Sequence, residues 1–165
     1  MANTGKPVMI VGVDESEQSF HALEWTLDHF FSNGQEHQFR LIVTHAKPSP
    51  SGLLGAHGQG SGDFLPVVER DLNKLAKKTI GSAMEICEQR SVRVTSEILE
   101  GDARHALCET VDKHRAAILV VGSHNYGKVK RAFLGSVSDY CAHHAHCTVM
   151  IVKKPKQKKT QKTTS

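Results

Sequence analysis

The sequence has no apolar run of the ~18 residues that a membrane span requires. Behind Met1 there is also no apolar stretch following a charged start, so no secretory signal is expected. The expected location is therefore the cytoplasm. Cysteine is sparse: Cys87, Cys108, Cys141 and Cys147 contain no Cys-x-x-Cys pair and have no secreted context. No disulfide framework is expected, and the four read as reduced thiols. Aromatic residues make up only 5%, and the single Trp25 falls on a helical pattern, where it reads as a packing residue. A net basic excess is missing from the body of the chain. The net charge is +4, but six of the 21 Lys and Arg lie in the last 13 residues, leaving 15 cations against 17 acids elsewhere. The body therefore carries no nucleic-acid footprint. The tail reads as a disordered, solubilising terminus, with nuclear import or an anionic surface as the sharper alternative. Finally, 165 residues leave little room for a second domain at ~100–200 residues per domain.

What is present is a regular alternation. Residues 8–13 form a continuous apolar run, as in a strand buried on both faces. Asp14 and Ser16 then cap a helix with Phe20, Leu23, Leu27 and Phe30 on one face, ending at Asn33-Gly34. A second strand spans residues 39–46, and a Gly-, Ser- and Pro-rich stretch at 48–62 reads as a long surface loop. Residues 64–89 carry apolar residues at helical spacing, among them Leu72, Leu75 and Ile80. A strand over 92–99, a helix capped by Asp102, a buried strand over 116–121, a helix over 136–144 and a strand over 147–152 complete the chain. Strands alternating with helices predict a doubly wound α/β domain over residues 8–152, with residues 1–7 as an extension and 153–165 as a Lys-rich disordered tail. Ligands of such sheets bind beyond the carboxyl ends of strands where the winding reverses, which here directs attention to the ends of the first and fourth strands.

The fourth strand runs into Gly122-Ser123-His124-Asn125-Tyr126-Gly127-Lys128-Val129-Lys130-Arg131, and then Gly135-Ser136-Val137-Ser138 opens a helix. Glycine turns, hydroxyls and cations between a strand and a helix start suit an anion, because backbone N–H groups there point outward and a missing Cβ permits close approach. An ordinary strand-to-helix loop is the plain alternative. Gly122-x4-Gly127-Lys128 matches the start of a P-loop, but Val129 stands where Ser or Thr must hold Mg²⁺. A true P-loop is set aside. Cys141 and His144 are one helical turn apart, yet the Cys141-to-Cys147 run fits no common zinc spacing, so no metal site is expected.

The frame Gly122-x2-Asn125-x9-Gly135-Ser136, after a strand ending Val-Gly-Ser, resembles the nucleotide signature of the universal stress protein family, Gly-x2-Gly-x9-Gly-Ser/Thr. Val11-Gly12-Val13-Asp14, Thr44-His45-Ala46 and Glu100-Gly101-Asp102 resemble its other blocks, and the histidine-rich run from Asp139 to Cys147 looks like the plant branch. The resemblance implies a Rossmann-like, five-stranded parallel sheet of the adenine nucleotide alpha hydrolase type, a homodimer through the last strand, and a stress-response role in cytoplasm or nucleus with a signalling partner that the sequence does not name. It implies ATP, accompanied by Mg²⁺, as ligand. Gly12, Val13 and Asp14 would lie at adenine and ribose, the Ala46 backbone would read the adenine edge, residues from Gly122 to Arg131 would wrap ribose and phosphates, and those from Gly135 to Ser138 would close on the phosphate tail. Asp14 also reads as a plain helix cap. Asn125 departs from the family glycine: if the position needs a left-handed backbone, Asn serves and the loop survives, and if it needs a missing Cβ against a phosphate, affinity falls. Since no nucleophile-base pair or two-carboxylate site accompanies the loop, a binding or sensor module is expected rather than an enzyme, with hydrolysis at most slow. The rival readings are a partner-binding or chaperone module with a decayed site, and a phosphotransferase.

Overall fold

The computed structural model describes residues 5–32, 37–54, 64–124 and 134–155. Within them the order is β1 (Val8–Gly12), α1 (Glu17–Phe30), β2 (Arg40–Lys47), α2 (Pro50–Leu54), α3 (Leu65–Gln89), β3 (Thr95–Glu100), α4 (Ala103–His114), β4 (Ile118–Gly122), α5 (Ser136–His144) and β5 (Thr148–Val152). The five strands form one sheet in the order β3-β2-β1-β4-β5, with every pairing parallel. This is the doubly wound α/β fold that the alternation predicts. Winding runs outward from β1 to β3 and then restarts on the other side at β4, so the reversal falls between β1 and β4.

Continuous apolar strands arise because both faces of the sheet are covered. Met9, Val11 and Val13 point toward α1 and α3, meeting Leu23, Leu27 and Ile80. Val8 and Ile10 point the other way, toward Leu107 and Val111 of α4 and Cys141 of α5. Trp25 packs against the first of these cores, as its helical position predicts. No helix among the described residues is long and apolar enough to cross a membrane.

Four local expectations are corrected. The 48–62 stretch contains α2, because Pro50 presets the first helical position and the Ser49 hydroxyl accepts the Gly52 N–H at 3.2 Å. The third strand begins at Thr95 rather than Val92, since Ser91 turns left-handed (φ 55°) and the Val92 N–H donates back to the Cys87 carbonyl at 3.0 Å. Leu75 is exposed despite its helical spacing, because the core side of α3 is carried by Ala76, Thr79, Ile80, Ala83 and Cys87. In α1 the cap is Ser16 alone, whose hydroxyl accepts the Ser19 N–H at 3.2 Å, and Asp14 braces Ser16 instead.

Candidate functional site

At the reversal, the carboxyl ends of β1, β2 and β4 enclose a cavity of about 80 Å³. Gly12, Val13 and Asp14 come from β1 and its exit, Thr44 and Ala46 from β2, and Val121, Gly122 and His124 from β4 and its exit. Thr44 and Ala46 are two apart and so share one strand face. The walls are completed by Ala103 and Leu107 of α4, Val137 of α5 and Ser19 of α1. Most of the surface is apolar, with Asp14, Ser19 and His124 supplying polar atoms at the strand exits. A few convergent polar groups on apolar walls are the usual make-up of a small-molecule site. The volume is well below the ~300–1,000 Å³ of a site that swallows a whole ligand.

Asp14 organises the polar side. Its Oδ1 accepts the Ser16 N–H at 2.8 Å and the Ser16 hydroxyl, and its Oδ2 lies 3.0 Å from Nε2 of His124. Its own N–H donates to Ser19 Oγ at 3.0 Å. Burial pushes the carboxyl up, but the Ser16 and Ser19 bonds and the nearby His124 outweigh it and hold Asp14 below the ordinary aspartate range. The pair ties the exits of β1 and β4 across the switch point. Behind it, Val13 donates to the Thr44 carbonyl at 2.8 Å and His45 donates from Nδ1 to the Val13 carbonyl at 2.9 Å, fixing the β1 exit from the β2 side.

Of the residues singled out in the sequence, the structure brings Gly12, Val13, Asp14, Ala46, Gly122, His124 and Val137 to the cavity wall. Ser123, Gly135, Ser136 and Ser138 are not on that wall. Ser123 is buried and its N–H donates to the Val152 carbonyl at 3.0 Å, continuing the β4–β5 ladder. Gly135 precedes α5 without a side-chain cap, Ser136 opens the helix exposed, and the Ser138 hydroxyl donates to the Gly135 carbonyl at 3.0 Å. Asn125, Gly127, Lys130 and Arg131 lie outside the described residues. Ser19, Thr44, Ala103, Leu107 and Val121 were not anticipated. The i, i+4 spacing of Ala103 and Leu107 just after the Asp102 cap was a readable signal, and Thr44 was readable as the strand neighbour of Ala46. Among the described residues no group of three His, Cys, Asp or Glu is placed to hold a metal, and Cys141 is buried while His144 is exposed.

A model of the Universal stress protein family matches residues 7–153. The chain is 25% identical over 140 residues to a universal stress protein A-like protein of Arabidopsis thaliana, covering 81% of this chain and 77% of that one. It is 26% identical to universal stress protein PHOS34 of Arabidopsis thaliana, covering 88% of this chain and 61% of that longer one. A universal stress protein family protein from Arabidopsis thaliana, solved with AMP bound, superposes with a TM-score of 0.62 at 23% identity over 90% of this chain and 92% of that one. A universal stress protein solved in complex with cAMP superposes with a TM-score of 0.59 at 20% identity, over 88% and 96%.

Proposed function

The chain belongs to the universal stress protein family, and from that premise we propose that it binds an adenine nucleotide, ATP by the sequence reading, as a stress-response binding or sensor module rather than an enzyme. The observation that carries the proposal is the cavity at the β1/β4 reversal, the position where doubly wound sheets take ligands. Its enclosed part suits the flat base alone, between Ala46, Leu107 and Val121. Ribose and phosphates would then lie at the mouth, toward Gly135 and the uncapped first turn of α5, whose N–H groups favour an anion. Relatives of the same fold solved with AMP and with cAMP support an adenine ligand. Mg²⁺ would arrive held by phosphates, because Asp14, the one carboxylate on the described wall, has both oxygens engaged. Cytoplasmic or nuclear residence and a protein partner belong to the same proposal.

That engagement also favours a second reading. The Asp14 carboxylate is committed to Ser16 and His124 of its own chain, a structural role that a partner-binding module with a decayed nucleotide site would retain. Mass spectrometry of small molecules released from freshly purified protein separates the two. Adenine nucleotide in the released fraction, and titration with ATP that Ala46→Leu weakens at least tenfold, are the expected results. An empty protein that neither wild type nor variant titrates with ATP, AMP or cAMP would leave the second reading.

A further inference from the structure

The polar rim of the cavity is closed on itself in a way that a sugar would have to undo. His124 lies just past β4 and beside the start of α5, its Cβ 3.2 Å from the place a β-carbon on Gly135 would take. From there its side chain reaches toward the β1 exit, where Nε2 ends 3.0 Å from Asp14 Oδ2. The imidazole thus bridges the mouth between β1 and the first turn of α5, and both partners are wall residues. Behind the bridge is the enclosed part of the cavity, about 80 Å³, so a sugar joined to a base held there emerges where the imidazole lies.

The oxygen that the imidazole takes is also the one a sugar needs. Ribose presents two adjacent hydroxyl donors, and a carboxylate at the switch point is their acceptor in dinucleotide-binding sheets of this kind. Asp14 is the one carboxylate on the described wall. Its Oδ1 is held inside the β1 exit by the Ser16 N–H at 2.8 Å and by the Ser16 hydroxyl, which leaves Oδ2 for a group outside that turn. The His124 side chain is 24% exposed and that of Asp14 45%, so water reaches the pair and parting it costs only the modest worth of a solvent-reached contact. Resting on the adenine reading of this cavity, we propose that His124 is a displaceable stand-in for ribose, holding Asp14 Oδ2 until a nucleoside's 2′- and 3′-hydroxyls take that oxygen and turn the imidazole aside. His124 then sets the affinity for a sugar-bearing ligand without taking part in recognition of the base. The competing role is a plain clasp between β1 and β4, whose loss would change the binding of every ligand alike.

Calorimetric titration of the full chain with adenine, 2′,3′-dideoxyadenosine and adenosine separates the two roles, since none of the three carries a phosphate for the imidazole to meet. His124→Ala is expected to tighten adenosine about three- to tenfold, the worth of one modest hydrogen bond, and to leave adenine and dideoxyadenosine within about twofold. His124→Gln, whose amide N–H can reach the carboxylate as Nε2 does, should keep the wild-type affinity for all three. In the wild type itself, the His124 ring signals, identified by their loss from the NMR spectrum of His124→Gln, should move further with adenosine than with dideoxyadenosine. Adenosine binding that is unchanged or weaker in His124→Ala, a change of equal size for all three ligands, or equal movement of the ring signals would overturn the displacement and leave the adenine site standing. A protein that takes none of the three, as wild type or variant, would remove the adenine reading and this inference with it.

Discussion

A β-carbon on Gly122 would stand 2.6 Å from the Gln18 carbonyl oxygen and 2.9 Å from the Ser19 nitrogen, backbone atoms of α1 that cannot retreat without lifting the helix from the sheet. At Gly12 the same atom would meet Leu107 Cδ2 at 3.3 Å, the end of a side chain with room to rotate. Gly122→Ala is therefore expected to destabilise the fold by about 1–3 kcal/mol, the range for overpacking, and Gly12→Ala by less. Urea denaturation of the two variants checks the order. Gly135 sits similarly close, its β-carbon site 3.2 Å from that of His124, so replacing it disturbs the Asp14–His124 pair as well as any approaching anion. Gly122 and Gly135, which read in sequence as room for phosphate, thus each have a neighbouring protein atom to explain them. Asp14 gives a separate test at this scale. Its lowered value means that it stabilises the fold above the ordinary aspartate range and loses that contribution as pH falls through the folded value. Because Ser16 acts on the carboxyl more strongly than His124, Ser16→Ala should raise the Asp14 titration midpoint further than His124→Ala does, read by ¹³C NMR of the carboxyl.

The α4 helix depends on its cap. Asp102 accepts the Arg104 N–H at 2.9 Å and is paired with the Arg104 guanidinium, whose bond is the largest influence holding the carboxyl down at about 2. Asp102→Ala should cost ~1 kcal/mol of stability by leaving the first turn uncapped, while Asp102→Ser should keep most of it. The wild-type contribution is present above pH ~4 and lost as pH falls toward 2, so the gap between wild type and Asp102→Ala should close on acidification in thermal melts. Because Ala103 and Leu107 of this helix wall the cavity, the cap also sets one side of the site. It was legible in sequence because Asp after a glycine turn acts locally. So were the strands, whose two-sided burial leaves unbroken apolar runs such as residues 8–12. What escaped the sequence depended on contacts far along the chain or on single backbone torsions. The left-handed Ser91 delayed β3, Ser49 with Pro50 made α2 inside a loop-like stretch, and Leu75 has apolar spacing on the part of α3 that projects past the core. The Asp14–His124 contact spans 110 residues, and no local pattern announces it.

The two edges of the sheet differ in a way that bears on assembly. On β3, Glu97 is held by Lys113 at 3.2 Å and His114 at 2.6 Å, and Glu100 lies beside Lys47, so this edge is guarded by charge. On β5, Thr148, Val149, Met150, Ile151 and Val152 carry no charge. The Thr148 N–H donates to the Ala117 carbonyl and the Val152 carbonyl accepts from Ser123, so residues 148, 150 and 152 direct their backbone groups at β4. By the two-residue period of a strand, Val149 and Ile151 direct theirs outward, where a second copy of β5 would satisfy them. This edge is where the family resemblance places a homodimer. Proline at 149 removes an outward N–H while sparing the bonds to β4, so Val149→Pro should convert a wild-type dimer to a monomer that keeps its far-ultraviolet circular dichroism. Sedimentation velocity at micromolar concentration decides the matter. A wild type that sediments as a monomer, or a Val149→Pro variant that remains dimeric, would move the interface away from β5 and leave its apolar edge to another partner.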